Sequence, residues 1–188
     1  MEITDIINQI YRLPSKLSLE LFVSHTQEME YPKRFRLFQE GRKERKVYFI
    51  KRGIARAYAH NGNKEVTFWL GKEGSIMSPL QTLYFGTGVY ETLELLEDST
   101  LYEIKLEQLC NLYETDIHLA TWGRKYAEHA CIQSEKMFIA RQFKTSVERY
   151  QELIAEFPDI IQRVPLGIIA SYLGITQVNL SRIRAKIR

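Results

Sequence analysis

Gln177, Asn179, Ser181 and Arg182 gather two amides, a hydroxyl and a guanidinium into one short stretch near the end of the chain. Groups of this kind read hydrogen-bonding edges. A guanidinium can pair bidentately with a guanine edge, and a glutamine amide can do the same for adenine. Val178 offers only apolar contact, for example to a thymine methyl. Basic residues Arg184, Lys186 and Arg188 follow. From Ile160 to the end there is no Asp or Glu, while Arg163, Arg182, Arg184, Lys186 and Arg188 are all positive. The chain carries 26 Lys and Arg against 23 Asp and Glu, a net charge of +3, so without those five the remainder stands at −2. A basic end on a mildly acidic body is the charge pattern of a protein that brings one part to phosphates.

These groups need a scaffold, and the flanking residues predict one. Ile169, Ala170 and Leu173 share a helical face, with Tyr172 beside it. Gly174 follows where a helix end favours φ > 0. Ile175 plugs the turn, and the Thr176 hydroxyl can cap a second helix. Leu180, Ile183 and Ile187 recur at spacings of three and four, which marks the buried face of that helix. Leu166–Arg188 therefore reads as a helix-turn-helix, whose second helix lies in the DNA major groove. Such a helix pair can also be plain packing, but the charge distribution favours DNA.

Composition narrows the classes further. With 188 residues, 45% hydrophobic, the chain can build one larger or two smaller domains. No run of about 18 apolar residues occurs, so no membrane span is expected. The start, MEITDIINQIYRLP, has early acids and no small-residue cleavage site, so no signal peptide is expected and the location is read as cytoplasmic. Two cysteines, Cys110 and Cys131, suggest a reducing compartment and cannot alone supply the four thiolates of an ordinary iron–sulfur cluster.

Along the chain, Ile3, Ile6, Ile7 and Ile10 predict a first helix ended by Pro14. A second is expected to open at Ser18. The period then changes. Residues 34–41, 46–51, 54–60, 64–70, 89–96 and 100–106 read as strands. Asn61-Gly62 is a hairpin signal with φ > 0 expected at both positions. Val66, Phe68 and Leu70 are expected on one face of their strand. Residues 78–85 read as a short helix led by proline. Several short strands at regular spacing imply an antiparallel roll or barrel.

From Leu106 onward the chain is expected to be helical. A short helix over 107–113 precedes an uninterrupted one from about Ile117 to Phe143, roughly seven turns. Gly123, Ala127, Ala130 and Ser134 form a small-residue stripe that Phe138 continues. This helix is longer than the roll can cover, so the stripe is expected to be a dimer interface. A further helix is expected over 145–157, stopped by Pro158.

The order of strand-rich domain, long helix and terminal helix pair resembles the Crp/Fnr-type transcription regulator superfamily, that of the cyclic-AMP receptor protein. The most specific pieces are Tyr48-Phe-Ile-Lys-Arg-Gly53, Lys64-Glu-Val-Thr-Phe-Trp69, Gly74 and Ile169–Ile183, the last resembling Bacteroidetes-type members. The resemblance implies an α+β fold. An N-terminal antiparallel β-roll, a cyclic-nucleotide-binding-like jelly roll, would span 1–115. The long dimerisation helix would span 116–143 and a helix-turn-helix domain 144–188. It implies a homodimer on double-stranded DNA, with RNA polymerase a further partner. Gln177, Val178 and Arg182 would read bases. Thr176 and Asn179 would meet phosphates, and Ser181 would face the groove. Arg184, Lys186 and Arg188 are read as phosphate contacts.

The effector site departs from the pattern. A cyclic-nucleotide pocket of this kind uses a Glu for the ribose and an Arg for the phosphate. Here the first stretch is Gly74-Ser-Ile-Met-Ser-Pro79, without Glu. The second is Gly88-Val-Tyr-Glu-Thr92, with Glu91 near the Arg position, where an acid repels phosphate. Cyclic AMP is therefore not expected to bind tightly. Met77, Ser78, Leu80, Tyr90, Glu91 and Thr92 are the candidate pocket residues. They would hold an unknown small-molecule effector or simply fill the space. The cofactor is unknown.

No catalytic or metal site is expected. His25, His60, His118 and His129 lack ligand spacing. An enzyme on a cupin-like roll would need clustered ligands, and the predicted strands hold only His60. The alternative to a DNA-binding regulator is a small-molecule sensor acting through a protein partner.

Overall fold

The computed structural model describes residues 1–187. Eight strands are β1 (Gln27–Tyr31), β2 (Arg36–Phe38), β3 (Lys46–Arg52), β4 (Ala55–Asn61), β5 (Lys64–Gly71), β6 (Ile76–Met77), β7 (Thr92–Leu95) and β8 (Ser99–Lys105). They form two antiparallel four-stranded sheets, ordered β1-β8-β3-β6 and β2-β7-β4-β5. Nine helices accompany them: α1 (Ile3–Ile10), α2 (Lys16–Ser24), α3 (Leu80–Phe85), α4 (Leu106–Thr115), α5 (Ile117–Phe143), α6 (Ser146–Glu156), α7 (Ile160–Arg163), α8 (Leu166–Leu173) and α9 (Gln177–Ile187).

β3 and β8 are apolar on both faces because both are covered. Tyr48, Ile50 and Leu101 point into the roll and join Phe38, Leu93 and Leu95 of the other sheet. Val47, Phe49, Tyr102 and Ile104 point outward and meet α1, α2, α4 and α5. Alternating side chains of one strand thus serve two cores.

Several expectations need correction. β1 was not foreseen. It pairs only with β8, and Met29 and Tyr31 alternate with exposed Glu28 and Glu30. Ser18 does not open α2. Ser15 caps it, accepting from the Ser18 N–H at 3.2 Å, and the Ser18 hydroxyl donates to Asp116 at 2.6 Å. The β4–β5 hairpin pairs Asn61 with Lys64, so its turn residues are Gly62 and Asn63. Only Gly62 has positive φ, at 60°, as a type II′ turn requires. A register shift opposite Ala57 and Tyr58 leaves Phe68 unpaired. Thr67 and Leu70 are therefore both buried, and the simple alternation fails.

The long helix α5 keeps the expected bounds. Asp116 caps it, accepting from the His118 and Leu119 N–H groups at 2.8 and 3.1 Å. Trp122 anchors it. The indole N–H donates to the Ile7 carbonyl at 2.8 Å, and the ring meets Phe22 edge-on at 5.0 Å. Beyond Tyr126 the helix leaves the core, and Leu119 and Trp122 are its only fully buried residues.

The C-terminal helices form their own core, and that core reaches the roll. Tyr150, Leu153, Ile160, Ile169, Leu173, Leu180 and Ile183 pack together with Ile54, Leu70 and Leu96. Arg163 fastens this junction. It donates to Glu73 at 2.7 Å, Glu97 at 2.5 Å and Asp159 at 2.9 Å. Burial alone would raise the Glu73 carboxyl, but hydrogen bonds from Arg163 and the Gly53 N–H outweigh it and hold the pKa at about 2, against 4.5 ordinarily.

A depressed carboxylate stabilises above its unfolded pKa and loses that contribution as pH falls. Hydrogen exchange should therefore show α7–α9 losing protection before the roll as pH drops from 4.5 to about 2. Arg163→Met should bring the same loss at neutral pH, costing about 2 kcal/mol. Unchanged exchange in α7–α9 for the variant would remove the fastening role.

Candidate nucleic-acid interface and effector pocket

The α8–α9 junction is built by local hydrogen bonds. Gly174 takes φ 69°, a conformation that costs a glycine little. Its N–H donates to the Ser171 carbonyl and the Ile175 N–H to the Ala170 carbonyl, each at 3.0 Å. This pairing closes the end of α8. Thr176 then starts α9, its Oγ1 accepting from the Asn179 N–H at 3.2 Å. Capping occupies one lone pair of this hydroxyl and leaves its proton free.

α9 divides cleanly. Leu180 and Ile183 are buried against α8 and α6. Gln177, Val178, Asn179, Ser181, Arg182 and Lys186 are exposed together, with Arg184 half-buried. Val178 is 63% exposed. Ser181 donates to the Gln177 carbonyl at 3.0 Å, so its hydroxyl is partly committed inside the helix. Arg188 lies outside the described residues. Arg163 faces the roll and its three acids, so it adds nothing to the exposed positive face.

α8 rests on β5. The Ser171 hydroxyl accepts from the Thr67 N–H at 3.0 Å, and Arg149 donates to the Leu173 carbonyl at 3.1 Å. α8, on which α9 packs, is thereby tied to the strands of the roll.

The six candidate effector residues stand in different settings. Met77 is in the roll core, paired through β6 with Tyr48. Thr92 is buried, its hydroxyl accepting from the Glu40 N–H at 3.3 Å. Tyr90 is exposed and stacks on Phe68 at 6.0 Å. Ser78 and Leu80 line a different space, a cavity of about 350 Å³ between α3, α4 and the start of α5. Glu91 is the unusual member. Its Oε2 atom is buried without a hydrogen-bond partner, and burial pushes its carboxyl pKa up.

The small-residue stripe of α5 also divides. A Cβ on Gly123 would lie 2.8 Å from the Tyr113 ring, so this glycine admits the chain's own α4. Ala127 and Ala130 are half-buried, while Ser134 and Phe138 are exposed. Ile132, Phe138, Ile139 and Phe143 all project from the second half of α5, with Phe143 83% exposed.

Residues 28–116 match the family model described as the cyclic nucleotide-binding domain. Solved structures share the arrangement. FixK2 from Bradyrhizobium japonicum is 18% identical, with 86% of this chain and 84% of that chain covered at a TM-score of 0.73. The global regulator CLP of Xanthomonas campestris, described as responsive to c-di-GMP, is 17% identical over 92% and 91%, at 0.64. The catabolite activator protein of Thermus thermophilus is 17% identical over 95% and 85%, at 0.59. A comparison with curated proteins returns no match. The match covers the β-roll, and the chain shares the fold of these three solved structures. No helix among the described residues is long and apolar enough to cross a membrane.

Trp122 had no role in the expectations drawn from sequence, and the junction-fastening role of Arg163, counted there only as positive charge, was not foreseen. Trp122 had a signal, since Leu119, Trp122 and Tyr126 recur at spacings of three and four at the head of the long helix. Arg163 had none, because its partners Glu73 and Glu97 are distant in sequence.

Proposed function

We propose that the protein is a homodimeric, sequence-specific DNA-binding transcription regulator. In this reading α8 and α9 form a helix-turn-helix, with α9 entering the major groove. The observation that carries it is the exposed outer face of α9, where Gln177, Val178, Asn179 and Arg182 stand clear of the buried Leu180 and Ile183. Gln177 and Arg182 would read base edges, Val178 would meet an apolar base group, and Thr176, Asn179, Arg184 and Lys186 would contact phosphates, with Ser181 on the groove side. The likeness to Crp/Fnr-type folds supports the reading. The corresponding domains would be 1–115, 116–143 and 144–188.

Dimerisation would use the second half of α5. Ala127, Cys131, Ser134 and Phe138 follow one another at spacings of four, three and four, the repeat of a helix–helix seam. A 27-residue helix with an apolar, solvent-facing second half supports a partner helix there. Gly123 belongs to the subunit's own packing rather than to this seam.

The sensor would not take cyclic AMP. Ser75 stands where the ribose-binding Glu would be, and Glu91 near the phosphate-binding Arg. An acid at that position, with its Oε2 buried and without a hydrogen-bond partner, opposes an anion.

Arg182→Ala should cost roughly 1–3 kcal/mol on a selected operator and little on random duplex. Binding of the parent protein to both should weaken steeply with salt. Equal loss on both duplexes would reduce Arg182 to a phosphate contact, and salt-independent binding would sink the DNA reading. Phe138→Glu should shift sedimentation from dimer toward monomer, and an unchanged dimer would place the seam elsewhere. Isothermal titration with cyclic AMP should give no micromolar binding, and a micromolar isotherm would overturn the sensor assignment.

A further inference from the structure

The cavity beside α5 lies outside the roll. Val47 and Ile76 floor it from the first sheet, Leu83 and Tyr84 of α3 form one wall, and Tyr113 of α4 with Trp122 and Tyr126 of α5 form the other. Its volume of about 350 Å³ falls in the range of small-molecule sites. Trp122 and Tyr126 stack nearly parallel, 5.8 Å apart at 10°, and because Trp122 is 1% exposed the open aromatic surface belongs to Tyr126 and Tyr84. Polar groups are few. Ser78 contributes a hydroxyl, and the Tyr126 hydroxyl makes one long bond, 3.4 Å, to the Ile76 carbonyl. Burial pushes the Tyr113 hydroxyl pKa well up, with no hydrogen bond among the causes. The lining holds one charged residue, Arg124, and its guanidinium is already paired with Glu128.

Charge and shape together select a ligand class. An anion would find no free cation here, and desolvating it would go unrewarded. A cation would find no free carboxylate in the lining. A flat apolar molecule would gain from aromatic contact on two sides and could place one polar group toward Tyr113 or Ser78.

We propose that this cavity binds a small, neutral, predominantly aromatic molecule, with α3, α4 and α5 each supplying a wall. The site extends the sensor half of the function proposed above, and ligand binding there is measurable without DNA. It differs from the six-residue set considered from sequence, of which it includes only Ser78 and Leu80. Because α5 also runs to the C-terminal helices, a ligand wedged between α3 and α5 would bear on the element that joins sensor to output.

The test uses N-phenyl-1-naphthylamine, a neutral aromatic probe, on the full chain. Trp69→Phe leaves Trp122 as the sole tryptophan of the two. The probe should quench Trp122 emission saturably while its own emission rises by energy transfer. Ala120→Phe and Leu83→Phe each fill the cavity from a different wall and should weaken binding at least roughly tenfold, with circular dichroism unchanged. Absence of saturable quenching up to about 100 µM probe would overturn the proposal, as would undiminished affinity in a folded filling variant. Quenching of Trp122 in the parent decides the matter even where a filled variant does not fold. DNA affinity measured in parallel separates the two ideas, since the probe can bind while the operator does not, and the reverse.

Discussion

Everything in this chain hangs on two strands that must be covered twice. β3 and β8 carry large apolar side chains on both faces, so neither face can meet water. One face is satisfied by the opposite sheet, which closes the roll. The other requires helices, and α1, α2, α4 and the head of α5 supply them. A full burial of this kind is worth about 1.5–3 kcal/mol for each large apolar side chain. The helical layer is therefore a condition of the roll's stability, and the position of α5 follows from it. Trp122 is the contact that sets that position, because its ring fills the space between Phe22 and Phe49 while its N–H is satisfied on Ile7.

Fixing the head of α5 leaves its tail unsupported. The roll is too small to cover 27 residues of helix, so the apolar residues after Tyr126 stand in solvent within a single chain. The chain's end is handled differently. α8 lies directly on β5, and Arg163 reaches two acids, Glu73 and Glu97, across the junction. Hydrophobic contact through Ile54, Leu70 and Leu96 gives adhesion there, while the ion network gives orientation. Such a junction is separable in principle, because partly exposed ion pairs are worth less than buried apolar area.

Local signals survived translation into structure and non-local ones did not. The bounds of α5 were legible because nothing between Ile117 and Phe143 breaks a helix. Gly174 and Thr176 were legible because a left-handed cap and an N-cap hydroxyl each demand a residue type. β1 was missed because its edge position leaves it half polar. The slipped phase at Phe68 was missed because a bulge resets the period of two that sequence patterns assume. Arg163 was counted as positive surface because residues about 90 positions away, not its neighbours, decide where it points. The candidate effector residues were drawn from two nearby stretches, 74–79 and 88–92, whereas the cavity collects walls from α3, α4 and α5.

That last difference bears on how a signal could enter. The roll's interior is filled by its own side chains, among them Met77, Val89 and Leu93, and beside it Glu91 buries an oxygen, Oε2, that has no hydrogen-bond partner. An anionic effector would have to displace apolar packing and approach an acid. The helical side asks less. The space there already exists, its walls are aromatic, and one wall is the helix whose position Trp122 sets. The proposed ligand would lie against Tyr126, whose ring stacks on the residue that locks α5 onto the roll. A shift of that ring would then be transmitted along a single rigid element rather than through the strands.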